Sequence, residues 1–291
     1  MPHFGLLNIN KPAGVTSHRV VDQVRRVAGG AKVGHAGTLD PLAAGVLILG
    51  VGPATRLTEY VQRMRKCYRA TFLLGQRSDS DDVESPITIL ANAPRPTLEE
   101  LARAGQRLTG CVQQRPPAFS AIKVGGQRAY HLARRGELVD LAPRPVLIYG
   151  IRLIRYEHPQ LDLEIECGAG TYVRCVGRDL AESVGTAAVM SALTRTAIGH
   201  FGLATACQAT HLTPDNLADF LLPPRQAIAS LPQIRLTDQE QVAVAQGRTI
   251  AQGRSVPDGD VAALDQRGRL VAILRRGRQG GLAPVKNFAA A

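Results

Sequence analysis

The 291-residue sequence has no tryptophan and only five cysteines, which lie far apart. An odd number of cysteines without a C-x-x-C pair argues against a disulfide framework and against a zinc site. No apolar stretch approaches the roughly 20 residues that cross a bilayer, and the N-terminus lacks the pattern of a signal peptide. We therefore expect a reduced, cytoplasmic protein with no membrane contact and no metal.

Several cofactor motifs are also missing. No G-x-x-x-x-G-K-[ST] loop occurs, and the "GVG" at residues 50–52 lacks the third glycine of a dinucleotide fingerprint. Neither H-E-x-x-H nor G-x-S-x-G is found, and the seven histidines do not cluster at ligand spacing. The sequence thus predicts chemistry performed by ordinary side chains, with no nucleotide or other cofactor.

Positive charge is present in excess. The chain carries 35 Lys and Arg against 24 Asp and Glu, a formal net charge of +11. Such a surplus favours a polyanionic partner, because each neutralised phosphate releases a counterion. We therefore expect a nucleic-acid partner. The length suits one large domain and a small one, so we also expect two structural units.

Periodicity predicts the main elements of the first 185 residues. Apolar residues at helical spacing indicate three helices. Two of them have a cap, which is Thr16 or Ser17 for the first and a capping box of Thr97 and Glu100 for the second. Alternating apolar residues indicate strands, two of which should form an antiparallel pair. The helices are predicted at 17–28, 97–108 and 172–184, and the strands at 66–74, 146–156 and 161–168.

Two later stretches differ from these elements. The basic segment "QQRPPAFSAIKVGGQRAYHLARRGE" is interrupted by Pro-Pro and Gly-Gly, which is typical of a mobile arm and equally of a solvated surface loop. Prolines at 212–232 predict a hinge. Beyond it, a short helix closed by Gly247 and two strands around "DQRGR" indicate a separate compact module.

One carboxylate, Asp40, stands in the stretch "KVGHAGTLDPLAAGVLILGVG". Pro41 restricts Asp40 to extended backbone. An aspartate before a proline is typical of a helix N-cap, with the helix starting at "PLAAG". Alternatively Gly34 and Gly37 allow close approach of a ligand, and Asp40 is a functional carboxylate. Local sequence leaves both interpretations open.

The stretch "GHAGTLDPLAAGVLILGVGPATRLTEY" resembles the catalytic motif of the TruB family of tRNA pseudouridine-55 synthases. "LLNINKPAGVTSH", "KCYRATFLLGQRSDSDD", "QRPPAFSAIKVGGQRAYHLARRG", "CGAGTYVRCVGRDL" and "SALTRTAIGHF" are similar to further segments of that family. These six blocks occur in the family's order over residues 6–201. Together they are far more specific than any single motif.

The resemblance implies an α+β fold. Its core would be the pseudouridine-synthase core, a mixed, mainly antiparallel β-sheet flanked by helices. A catalytic domain would span residues 1–229, with an inserted thumb at about 114–140. Residues 230–291 would form a small β-rich PUA-like domain that binds RNA.

The resemblance also implies roles for individual residues. Asp40 would attack the target nucleotide, Tyr68 would stack on the flipped uracil, Tyr172 would lie beside it as a general base, and Arg174 would keep Asp40 ionised. An aromatic platform suits a base that must leave its stack, and a neighbouring arginine opposes the pKa rise caused by burial. Substrate-binding residues would be His35, Leu193, Lys11, Lys123 and Arg128, with Lys11 supporting the site.

The implied reaction is isomerisation of the T-loop uridine at tRNA position 55 by a monomer that binds the T-arm. Asp40 could add to ribose C1′ or to uracil C6, or a glycal could form. Two alternatives stay open: a tRNA-folding chaperone in which Asp40 is only a helix cap, and a related synthase acting on another RNA. The absence of long basic tails favours the tRNA enzyme.

Overall fold

The computed structural model describes residues 3–120, 122–137, 139–250, 258–277 and 280–288. Two sheets, two short hairpins and seven α-helices form the described part of the chain. The helices are α1 (Ser17–Val27), α2 (Thr58–Arg63), α3 (Leu98–Arg107), α4 (Ala129–Arg134), α5 (Val173–Glu182), α6 (Leu217–Phe220) and α7 (Asp238–Ala245).

The strands follow the same chain order. They are β1 (Gly5–Lys11), β2 (Val33–His35), β3 (Ala44–Val51), β4 (Lys66–Leu74), β5 (Gln76–Arg77), β6 (Thr88–Ile89), β7 (Gly110–Gln114), β8 (Lys123–Val124), β9 (Gln127–Arg128), β10 (Arg144–Glu157), β11 (Gln160–Cys167), β12 (Ala188–Ile198), β13 (Phe201–Gly202), β14 (Gln233–Arg235), β15 (Asp260–Leu264), β16 (Leu270–Arg276) and β17 (Leu282–Asn287).

The large sheet has the order β1-β3-β12-β4-β11-β10-β7, with β2 on β3 and β13 on β12. Only the β12–β3 pair in it is parallel. This confirms the expected α+β class with a mixed, mainly antiparallel sheet. The predicted strands at 66–74, 146–156 and 161–168 correspond to β4, β10 and β11, and β10 and β11 pair antiparallel as expected.

Three helices cover one face of the large sheet. Buried side chains of α1, α3 and α5 belong to one hydrophobic cluster with those of β1, β3, β4 and β11. Helix α5 lies very close to β4, since a Cβ at Gly177 would be 2.0 Å from the Phe72 ring. The three helices predicted from periodicity are therefore confirmed, and the capping box predicted between Thr97 and Glu100 is present at α3.

The segment at 212–232, where the prolines predict a hinge, is anchored by a few buried apolar residues and is exposed between them. Ala227 and Ile228 are fully buried, and Leu222 forms a bridge with Leu6 of β1. Their cluster extends from β1 and β3 to the second sheet, so apolar burial holds this segment against both sides.

The second sheet has the order β14-β15-β16-β17 and is covered by α7. It has a cluster of its own that includes Leu236, Val244 and Leu274. The predicted helix ends with Gly247 in a left-handed conformation, and the two predicted strands flank the "DQRGR" turn. A division near residue 230 and a PUA-like identity stay predictions.

The described part of the segment predicted to be the thumb lies mostly outside both sheets. It consists of the β8–β9 hairpin, in which Lys123 pairs with Arg128, followed by α4. Gly125 and Gly126 form its turn with positive φ, which glycine adopts without steric cost. Within the described ranges, no helix is long and apolar enough to cross a membrane.

Candidate active site

Asp40 lies in the irregular loop between β2 and β3. No helix follows Pro41; instead β3 begins at Ala44. The helix-cap interpretation of Asp40 is therefore wrong. Seven residues of β1 pair with β3 along its length, and this sheet pairing outweighs the local preference for a capped helix.

The backbone on both sides of Asp40 is fixed by buried side chains. The Ser17 hydroxyl accepts a hydrogen bond from Leu39 N and donates one to Leu39 O, each 2.9 Å long. On the other side, the Lys11 ammonium lies 3.4 Å from Pro41 O as a donor. Both side chains are almost inaccessible to solvent, so Asp40 is presented by a preorganised loop.

Arg195, from β12, supports the start of the same loop. Its guanidinium donates to Gly37 O at 3.2 Å and Thr38 O at 3.4 Å, while its Nε donates to Val46 O at 2.7 Å. Only 2% of Arg195 is exposed. A buried guanidinium is costly unless its donors are satisfied, and these carbonyls satisfy three of them.

Arg174, in the first turn of α5, joins two carboxylates. Its Nη2 lies 3.2 Å from an Asp40 oxygen and its Nη1 lies 3.2 Å from an Asp82 oxygen. It also donates to Ser80 O at 2.7 Å. Asp82 is buried, whereas the side chain of Asp40 is 36% exposed, so Asp40 is the carboxylate that a substrate can reach.

A cleft of about 850 Å³ opens in front of Asp40. Tyr68 from β4, Leu193 from β12 and Tyr172 just before α5 line it together with Arg174. Burial raises the pKa of Tyr68, and the neighbouring Arg195 opposes that rise. The cleft therefore places the accessible carboxylate of Asp40 beside aromatic and apolar walls.

Two buried lysines lie around this cleft. Desolvation lowers the pKa of Lys11 to about 8, although Asp40 opposes the shift. Desolvation also lowers the pKa of Lys66 to about 8, and the repulsion from Arg195 acts in the same direction. Lys66 donates to the carbonyls of Gln62 and Met64, at the end of α2.

A further carboxylate, Glu84, lines the cleft beside Asp40 and Asp82. Desolvation raises its pKa, and the two aspartates add to the rise by repulsion. Arg174 and Lys11 oppose it. The cleft is therefore electrostatically mixed, with acidic residues at the centre of a protein that is basic as a whole.

The other substrate-binding candidates lie outside the cleft lining. Lys11 lies beneath the Asp40 loop, and Lys123 and Arg128 are exposed on the thumb hairpin. His35, at the end of β2, is half-buried; its Nδ1 is shielded from solvent and has no hydrogen-bond partner. Burial lowers the pKa of His35. The described part of the chain shows no group of three or more His, Cys, Asp or Glu side chains placed to hold a metal ion.

The sequence also matches a known protein family. The profile of the family described as "TruB family pseudouridylate synthase (N terminal domain)" matches residues 25–173. The chain belongs to the TruB family.

Relatives in the TruB family match nearly the whole chain. A protein named tRNA pseudouridine synthase B from Dehalococcoides mccartyi is 39% identical, over 98% of this chain and 96% of that protein. The protein of the same name from Arthrobacter sp. is 40% identical over the same shares. The one from Mycobacterium bovis is 40% identical, over 93% of this chain and 91% of its own.

Solved structures share the fold. "Structure of H/ACA RNP bound to a substrate RNA containing 2'-deoxyuridine" matches with a TM-score of 0.75 and 22% identity, over 98% of this chain and 85% of that chain. "Crystal Structure of a Cbf5-Nop10-Gar1 Complex" matches with a TM-score of 0.73 and 24% identity, covering 94% of this chain and 78% of that chain. At such identities the likeness shows the fold alone.

Reasoning from sequence missed several charged residues of this TruB-family cleft. Asp82 stands in the run "SDSDDVES", which reads as a solvated acidic loop. Lys66 and Arg195 lie in strands, and the alternation of apolar and polar residues there does not show that a charged side chain faces the cleft. The register provides the missing signal, since Arg195 pairs with Tyr68 across β12 and β4. That pairing is not local in sequence.

Proposed function

We propose that this protein is a tRNA pseudouridine synthase that isomerises the T-loop uridine at tRNA position 55. The single observation that supports this best is the ion pair of Asp40 and Arg174, held by a fixed loop at the mouth of a cleft walled by Tyr68, Tyr172 and Leu193. TruB-family membership and the names of its relatives point to the same activity.

The reaction exchanges one glycosidic bond for another. The C1′–N1 bond of the uridine breaks, the uracil turns within the cleft, and C5 bonds to C1′. N1 gains a proton, C5 loses one, and nothing is oxidised or hydrolysed. Because the balance closes without a co-reactant, ordinary side chains suffice, and the proposal includes no cofactor.

Asp40 is the carboxylate that acts on the target nucleotide. Only 5% of Arg174 is exposed to solvent, so little water screens its charge from the carboxylate of Asp40. The ion pair holds in place the carboxylate that acts as the nucleophile. Asp82 on the other side of Arg174 keeps the guanidinium oriented.

The aromatic residues handle the freed base. Tyr68 stacks on the flipped uracil, which recovers part of the few kcal/mol needed to take a base out of its stack. Tyr172 lies beside the base and acts as the general base that removes the C5 proton. Leu193 completes the apolar wall, so the cleft retains the detached uracil and keeps water out.

The substrate is the T-arm, bound by shape and by its unstacked loop bases. Lys123 and Arg128 on the thumb contact phosphates, and His35 contacts loop nucleotides as a neutral side chain, because burial lowers its pKa. The PUA-like segment at 230–291 contacts the RNA outside the T-loop. The enzyme acts as a monomer.

The first test uses an unmodified tRNA transcript. The wild-type protein should release tritium from [5-³H]uridine, and chemical mapping should place the pseudouridine at position 55. A transcript with cytidine at position 55 should release none above background. Pseudouridine at another position, or in a ribosomal RNA fragment and not in tRNA, would favour the related-synthase alternative.

The chaperone alternative makes a different forecast. Under this alternative, the protein accelerates tRNA folding and forms no pseudouridine. Tritium release is therefore decisive between the two, while a folding assay is not, because one molecule can have both activities. Gel filtration with light scattering tests the monomer.

A further inference from the structure

Gln114 is the last residue of β7 and the first of the thumb. Only 1% of it is exposed. Both polar atoms of its amide bind the backbone of one residue: Nε2 donates to Tyr172 O at 3.1 Å, and Tyr172 N donates to Oε1 at 2.8 Å. A single side chain therefore forms a two-bond clamp on Tyr172, 58 residues later in the chain.

The position of Tyr172 makes this clamp consequential. Tyr172 precedes the first residue of α5 with extended backbone, and its own side chain forms no capping hydrogen bond. Its ring is thus free to face the cleft, which it lines. The Gln114 amide binds both the N–H and the C=O of Tyr172, as a neighbouring strand would, and so fixes the backbone that carries the ring.

The same part of α5 also contacts the base of the thumb. Arg174 Nη2 donates to Phe119 O at 3.1 Å, and Arg178 Nη2 donates to Arg115 O at 2.9 Å. Gln114 therefore lies where the thumb begins and where the helix with Arg174 begins. A shift at Gln114 displaces Tyr172 and the guanidinium that pairs with Asp40.

We propose that Gln114 is a positioning residue for the reaction: it sets Tyr172 and the first turn of α5 relative to Asp40 without touching the substrate. The inference rests on the proposed synthase function and adds a residue to it. A side chain that acts through geometry changes turnover more than substrate affinity, since reacting groups lose alignment while the RNA contacts persist.

The test compares Gln114→Met with Gln113→Met. Methionine nearly matches the volume of glutamine but makes neither hydrogen bond, and Gln113 is the exposed neighbour on the same strand. Gln114→Met should lower kcat by about 10- to 100-fold with KM for the tRNA transcript within about threefold. Gln113→Met should stay within about twofold of wild type in both.

A double variant shows whether Gln114 acts through Tyr172. If it does, Gln114→Met should cost less activity in a chain that already carries Tyr172→Ala than in wild type, because one of the two groups that Gln114 positions is gone. The proposal is wrong if the loss in the double variant equals the product of the losses in the two single variants. It is also wrong if Gln114→Met has the kcat of wild type. A loss confined to KM would overturn it too.

Two controls keep these outcomes separate. Thermal unfolding checks that each variant is folded. If Gln114→Met does not fold, Gln114→Asn, whose side chain is shorter by one methylene, replaces it in all comparisons. An inactive wild type would contradict the synthase function itself, and with it this inference. An active wild type with an equally active Gln114→Met contradicts the inference alone.

Discussion

The Asp40 loop and the thumb both connect strands of the large sheet, but they are held in different ways. Buried side chains of Ser17, Lys11 and Arg195 bind the backbone of the loop on both sides of Asp40. The thumb is bound mainly at its base, and its hairpin is exposed. Chemistry is thus assigned to a preorganised segment and RNA contact to a lightly held one.

The largest effect is expected where the loop meets α5. Arg174→Met should lower kcat by about 10²-fold or more, since the partner of Asp40 is lost. It should also lower the free energy of unfolding by about 3–5 kcal/mol, because Asp82 is left buried without its cation. Tritium release and urea unfolding measure the two effects.

A second change in the same chain separates the two roles of Arg174. Asp82→Asn removes the orphaned charge, so the double variant should recover much of the lost stability and none of the rate. Recovery of the rate along with stability would mean that Arg174 has a structural role only.

Ser17→Ala removes both hydrogen bonds that fix Leu39 next to Asp40. We expect a loss of about 1–3 kcal/mol in unfolding free energy, because a buried N–H and a carbonyl lose their partner. Turnover should fall by about 10-fold as the carboxylate loses its fixed position. The exposed Ser183→Ala is the matched control, and equal behaviour of the two variants would show that the loop needs no clamp.

Charges on the thumb should affect binding and leave stability unchanged. Lys123→Ala and Arg128→Ala should each weaken tRNA binding a few-fold and reduce the salt dependence of log Kd by about one unit of slope. Unfolding free energies should change by less than about 0.5 kcal/mol. Filter binding at several salt concentrations measures the slope, and Arg103→Ala on α3 is the control. A slope equal to that of wild type would show that these residues do not contact the RNA.

The remaining effect depends on pH. The pKa of Lys11 is lowered to about 8 in the folded protein, from an ordinary value of 10.5. Between these values the unfolded chain binds more protons than the folded one, so this group makes stability rise with pH. The unfolding free energy of wild type relative to Lys11→Met should therefore increase from pH 8 to pH 10.5. A constant difference across that range would contradict the lowered pKa.

Sequence reasoning succeeded where local pattern decides the structure. Alternation predicted β4, and helical spacing with a cap predicted α1 and α3. It failed where distant strands decide. The "DPLAAG" pattern favoured a helix cap at Asp40, and only pairing with β1 makes the following residues a strand.

The same limit explains the residues that were missed. Asp82, Arg195 and Gln114 acquire their meaning from partners that are far away in sequence: Arg174, the Asp40 loop and Tyr172. Nothing in their own neighbourhoods distinguishes them from solvated polar residues. The connection at 212–232 belongs with them, since its prolines suggested a hinge and tertiary packing anchors it at a few buried residues.

The most direct measurement compares Asp40→Asn with Asp79→Asn on one tRNA transcript, recording both Kd and single-turnover tritium release. Asp79 is exposed in the loop after β5 and serves as the matched control. The account predicts that Asp40→Asn binds within about threefold of wild type and loses at least about 10⁴-fold in rate, while Asp79→Asn keeps both. Pseudouridine formation by Asp40→Asn at a rate near that of wild type would contradict it.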